Sequence, residues 1–180
     1  MQEQPPDPLI EEALRWFVVL KDSNGDVLVT GHISDAADLG GGPLQSAGGF
    51  DVCLGRYSPA GAHLWSRRFG GPGEDVGRAL AVDGAGDVLL GGHLGDGADF
   101  GGGPLRSAGL IDAAVVKLDG AGAHLWSKRF GGPRDETVAG LAADGSGAVV
   151  GGSMEGPVEL GGAPLQSAGG YDVLLLRLAP

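Results

Sequence analysis

The sequence predicts an all-β fold assembled from repeated, four-stranded antiparallel units, and three observations carry that prediction. The chain repeats itself: GGGPLQSAGG (40–49) returns as GGGPLRSAGL (101–110) and GGAPLQSAGG (161–170), so Pro43, Pro104 and Pro164 stand 61 and then 60 residues apart. AHLWSRRFGGP (62–72) returns as AHLWSKRFGGP (123–133), and DSNGDVLVTGH (22–32) as DGAGDVLLGGH (83–93), both at a spacing of 61. DGSGAVVGGS (144–153) is a third copy of the latter block, one residue shorter in its strand. Next, glycine accounts for 37 of 180 residues, roughly three times ordinary usage. It accompanies 42% apolar residues, so it reads as many tight turns between short strands rather than as disorder. Finally, the apolar runs are short and bounded by Gly, Pro, Asp or Ser, as strands are.

Four strands fit each period. The first precedes the Asp-x-x-Gly turn (16–21, 78–82, 138–143) and the second follows it (26–32, 87–93, 149–153). In that turn Asp bonds the backbone two residues on and Gly takes positive φ. The third strand follows the SAGG block (51–57, 112–118, 172–178), and the fourth is AHLWSRRF (62–69) with its copy (123–130). The third strand is apolar on both faces, as in VLLLRL (173–178), which places it in a sheet sandwiched between neighbours. Sheets stacked face to face in series are the blades of a β-propeller. The period exceeds the roughly 40–50 residues of WD-type and kelch blades, and the surplus lies between strands two and three. The SAGG loop predicts that Gly48 has a backbone geometry side chains disfavour. A helical pattern appears only over 8–14, too short to be stable alone. The domain organisation expected is a non-repeat segment, 1–14, followed by a repeat domain, 15–180, with blades of about 15–72, 73–133 and 134–180.

Composition excludes several functions. With 12 Lys and Arg against 23 Asp and Glu, the net charge of −11 repels nucleic acid and anionic membrane surfaces. The single cysteine, Cys53, allows no internal disulfide. No stretch has the length and apolarity of a transmembrane helix, so no membrane insertion is expected. The acidic, proline-rich start, MQEQPPDPLIEEAL, is unlike a secretory signal.

The combination D-[LF]-G-G-G-P-L-x-S-A-G-G-x-D, then W-S-[RK]-R-F-G-G, then D-G-x-G-D-V resembles the SBBP β-propeller repeat of large bacterial surface and secreted proteins, abundant in myxobacteria. The resemblance covers roughly residues 15–180. It implies a propeller fold and an extracellular or cell-surface location, and it brings no catalytic residues with it.

Residues recurring in every copy serve the unit more readily than an asymmetric site. All four histidines recur, His32 with His93 and His63 with His124, and no HExxH or His/Cys cluster accompanies them. Asp51, Asp112 and Asp172 precede strand three, and Arg56, Lys117 and Arg177 recur within it; the spacing suits turn-capping aspartates and structural ion pairs, against the alternative of an ionic site lining a central channel. Asp22, Asn24 and Asp26 resemble the start of a calcium loop, but Ile33 stands where the twelfth-position Glu belongs. Trp65 and Trp126 read as inter-blade packing, with sugar stacking the alternative. Cys53 aligns with Ala114 and Leu174 and reads as buried filler. GxGxxG, GxxxxGK[ST] and GxSxG are all absent.

The expectation is therefore a non-enzymatic propeller module, about three blades with the last incomplete, acting as a structural or interaction scaffold without cofactor, metal or catalytic residues. A carbohydrate-binding propeller is the alternative, and a hydrolase or lyase at the channel mouth a third reading. The partner class is protein or glycan. Two full blades and a three-stranded third make an open arc, or part of a larger ring. Its uncovered apolar faces imply either self-association or membership of a longer polypeptide.

Overall fold

The computed structural model describes residues 17–144, 147–160 and 163–179, and among these the fold is all-β, with no helix. The segment 1–14 and Trp16 lie outside the described residues. The first repeat forms β1 (Val18–Lys21), β2 (Val27–Ile33), a small hairpin of β3 (Ala36–Asp38) and β4 (Pro43–Gln45), then β5 (Asp51–Tyr57) and β6 (His63–Phe69). The second forms β7 (Val76–Val82), β8 (Val88–Leu94), the hairpin β9 (Ala98–Asp99) and β10 (Pro104–Leu105), then β11 (Asp112–Leu118) and β12 (His124–Phe130). The third contributes β13 (Glu136–Asp144), β14 (Gly147–Glu155) and β15 (Tyr171–Leu178). The surplus of the long period is the small hairpin, reduced in the third repeat to a bridge between Val158 and Leu165.

The strands pair antiparallel as β1-β2-β5-β6, as β7-β8-β11-β12 and as β13-β14-β15. Sheets one and two even share an irregularity: the outermost pairing slips by a residue between Arg56 and Tyr57, and again between Lys117 and Leu118.

Alternation along each strand then builds two cores. Val52 and Leu54 of sheet one meet Leu80, Leu90, Ala114, Val116 and Leu118 of sheet two. The other face of sheet two, including Ala113 and Val115, meets Val138, Val150, Leu174 and Leu178 of sheet three. β11 is thus covered on both faces, as its sequence predicts. At roughly 1.5–3 kcal/mol per fully buried large aliphatic side chain, these layers dominate the stability. In β15, at the end of the stack, Leu174 and Leu178 are buried, whereas Val173 and Leu175 are 85% and 69% exposed. Its second apolar face is uncovered among the described residues.

Gly48 departs from the expectation in its cause. Its φ is not among the positive values, but a Cβ there would lie 2.5 Å from the Gly71 carbonyl oxygen and the Pro72 backbone. Gly109 meets Gly132 and Pro133 in the same way. The SAGG loop needs glycine because another backbone passes against it. Positive φ is the requirement in the Asp-x-x-Gly turns, at Gly25 and Gly86, both with φ of 87°.

Candidate functional site

Each stacked sheet carries a charged cluster at either end, and the repeat determines both. At one end sit the Asp-x-x-Gly turns. Asp22 Oδ1 accepts the amides of Asn24 (2.8 Å) and Asp26 (2.9 Å), and Asp83 Oδ1 accepts those of Ala85 (2.9 Å) and Asp87 (3.1 Å). The second carboxylate oxygens hold the basic residue of the third strand. Arg56 contacts Asp22 at 2.6 Å and Asp26 at 2.9 Å, Lys117 Nζ contacts Asp83 at 2.9 Å and Asp87 at 3.0 Å, and Arg177 contacts Asp144 at 3.3 Å. Burial pushes the Asp83 carboxyl up, but the bonds from Lys117 and the turn amides outweigh it and hold the group below its ordinary value. The same bonds raise the Lys117 ammonium. Both oxygens of Asp22, the leading calcium candidate, are therefore occupied by its own turn and a guanidinium.

The opposite end is built on Asp51, Asp112 and Asp172. Asp51 accepts the Ala47 amide and the Ser46 hydroxyl (2.6 Å) and pairs with Arg68 at 3.3 Å. Asp112 accepts the Ala108 amide (2.9 Å) and the Ser107 hydroxyl (3.2 Å) and pairs with Arg129. Asp172 accepts the Ala168 amide. These aspartates cap the SAGG turns, as the spacing predicts. The cation of Asp51 and Asp112 is the arginine of the fourth strand, Arg68 and Arg129, and not the Arg56 or Lys117 of their own strand.

Beside them lie two carboxylates that sequence reasoning missed. Asp75 and Glu136, 61 residues apart, are 0% and 1% exposed, whereas the neighbouring Glu74 is exposed and Asp135 half-buried. Asp75 accepts the amides of Gly71 (2.8 Å) and Gly95 (2.9 Å). Burial, with the Asp51 charge adding to it, raises its carboxyl to about 6. Glu136 accepts the Gly132 amide (2.9 Å), and its other oxygen is buried without a partner. Burial first, and then the charges of Asp112 and Asp135, raise it to about 7. Their place directly after Gly-Gly-Pro-x-x, at the start of an inner strand, was the available signal.

The histidines divide into two kinds. His63 and His124 bond Ser66 (3.1 Å) and Ser127 (3.2 Å) on their own strands. His93 accepts from Arg78 Nε at 3.4 Å and is depressed to about 4, by burial first and then by Arg78 and His32. His32, edge-on to Phe50 at 4.6 Å, is lowered by burial and Arg78, which Glu74 only partly offsets. The Arg78 guanidinium thus lowers both imidazoles. His32 and Arg78 also border an apolar cleft of about 350 Å³ with Phe17, Val18, Val76 and Ala139.

Cys53 is fully buried, and burial pushes its thiol to about 11, so no thiolate forms near neutral pH. Trp65 packs against the core between sheets one and two, and its indole N–H donates to the Gly120 carbonyl at 3.0 Å. Among the described residues no group of three or more His, Cys, Asp or Glu is placed to hold a metal ion. Nor does any helix have the length and apolarity to cross a membrane.

No family model matches the chain. A regulatory protein named FlaEY, from Caulobacter vibrioides, is 28% identical over 166 residues, which cover 87% of this chain and 17% of that protein. The chain therefore spans about a sixth of that relative's length.

Proposed function

We propose that the chain is a non-enzymatic β-propeller repeat module that serves as an interaction scaffold in a larger bacterial surface or secreted protein. One observation carries this reading: the chemistry recurs at the repeat spacing, and in each copy it is spent on the fold. Asp22 and Asp83, Arg56 and Lys117, Asp51 and Asp112, and Asp75 and Glu136 all recur, and each grips a turn, a cation or a backbone amide of its own or a neighbouring unit. The packing of β7 against both β1 and β13 supports a propeller, whose inner strands line up around an axis. The surface location rests on the SBBP resemblance. A scaffold that docks other chains also suits a segment of a regulatory protein, as the name of the Caulobacter relative has it.

Labelling intact source cells with a membrane-impermeant biotin reagent tests the location. The module should be labelled without lysis, and labelling only after lysis would contradict the reading. A glycan array tests the nature of the ligand: the scaffold reading expects no glycan bound above background, and saturable binding of one glycan class would replace it with a lectin.

A further inference from the structure

The third sheet has an edge and a cleft that the first two sheets fill in one specific way. β5 pairs on its outer side with β6, HLWSRRF, and β11 with β12, HLWSKRF. β15 pairs with β14 alone among the described residues, leaving a row of backbone donors and acceptors open.

The turn before the fourth strand does a second job. In sheet two this turn, 119–123, is closed by bonds from the Asp119 amide to Ala123 O and from the Gly122 amide to Asp119 O. It wedges against sheet one, where Gly120 O accepts from both Trp65 Nε1 (3.0 Å) and Arg56 Nη1 (3.1 Å). Gly122, at φ 81°, lies so close that a Cβ would come within 3.2 Å of the Trp65 ring. One period on, the equivalents of Trp65 and Arg56 are Trp126 and Lys117. They line a cleft of about 240 Å³ beside Asp83, Leu89, Ala148 and Ala179. Trp126 Nε1 makes no hydrogen bond among the described residues, and Lys117, with two contacts to carboxylates, has a third N–H for a carbonyl.

We propose that the β15 edge and the Trp126–Lys117 cleft together form an acceptor for one class of ligand, a polypeptide turn and strand of the type D-G-A-G-A-H-L-W-S-[RK]-R-F. The strand adds antiparallel to β15, slipping by a residue near Arg177 and Leu178 as at the two equivalent sites. The turn's second-residue carbonyl accepts from Trp126 and Lys117. This names the partner class of the proposed scaffold and rests on that reading only in requiring that the units be built alike.

The test is fluorescence anisotropy of a labelled synthetic peptide with the sequence of residues 119–130, titrated with the full chain, beside a scrambled peptide of the same composition. Saturable binding at least tenfold tighter than the scrambled control is expected, with slowed hydrogen exchange of the amides across 171–178. Trp126→Phe, which keeps the ring and removes the N–H, should weaken binding severalfold. No saturable binding, equal binding of the scrambled peptide, or protection confined to other strands would overturn the proposal. So would a dimer, seen by light scattering, that the peptide neither binds nor dissociates. Peptide failure with normal surface labelling and no glycan bound would leave the scaffold standing and remove only this acceptor.

Discussion

At the scale of the residue, glycines of this chain are constrained for different reasons, and substitutions separate them. Gly48→Val forces a side chain into the Gly71–Pro72 backbone, an overpacking that costs about 1–3 kcal/mol. In a domain of this size that lowers the melting temperature by roughly 2–4 °C per kcal/mol. Gly151→Ala, in β14, meets nothing within 4 Å and has no positive φ, so it should leave the melting temperature unchanged or raise it slightly. The buried carboxylates make a second prediction. Asp75 and Glu136 are raised to about 6 and about 7 from ordinary values of 3.8 and 4.5, so folding favours their neutral forms. The stability they contribute is present below about pH 4 and lost as pH rises through 6 to 7. A thermal melt at pH 8 should fall below one at pH 5 by more in the native chain than in the Asp75→Asn, Glu136→Gln double variant, whose profile should be flatter. Parallel profiles would place the ionised carboxylates at no cost in the fold.

At the scale of the element, the strands were legible because each is a short apolar run between turn residues, repeated at a fixed interval. Val27–Ile33 and Asp51–Tyr57 follow directly from the Asp-x-x-Gly and SAGG blocks. The small hairpins were not, since Ala36–Asp38 and Pro43–Gln45 are three residues each, mostly exposed, and held by pairing rather than by an apolar pattern. The partners of the recurring charges were hidden as well. Asp51 and Arg56 are neighbours in sequence but occupy opposite ends of β5, so only the pairing of β5 with β6 delivers Arg68 to Asp51. The three versions of the turn clamp differ in exposure, and their energies should grade with it. The Arg56–Asp22 side chains are 8% and 1% exposed, and Arg177 and Asp144 are 53% and 57%. Arg56→Met strands two carboxylates near the interior and should cost about 3–5 kcal/mol. Arg177→Met should cost about 0–1 kcal/mol, with Lys117→Met between them. Denaturant melts of the three variants check the order, and equal losses would contradict the role of burial.

At the scale of the whole molecule, the three sheets are one unit used again, each offering its Val52–Leu54 type of face to the next. Sheet three offers Val173 and Leu175, with Tyr171 65% exposed beside them. An apolar face of this kind is where a further unit stacks. The central claim is that such stacking turns about an axis as in a propeller, rather than running on in a straight line. Inserting one to four extra copies of residues 73–133 after residue 133 and measuring the radius of gyration by small-angle scattering tests that claim most directly. A propeller predicts that the radius levels off as the ring closes, within about 4–8 units, and that binding of an apolar-surface dye falls at the same copy number. A radius that keeps growing in proportion to the number of copies would contradict it.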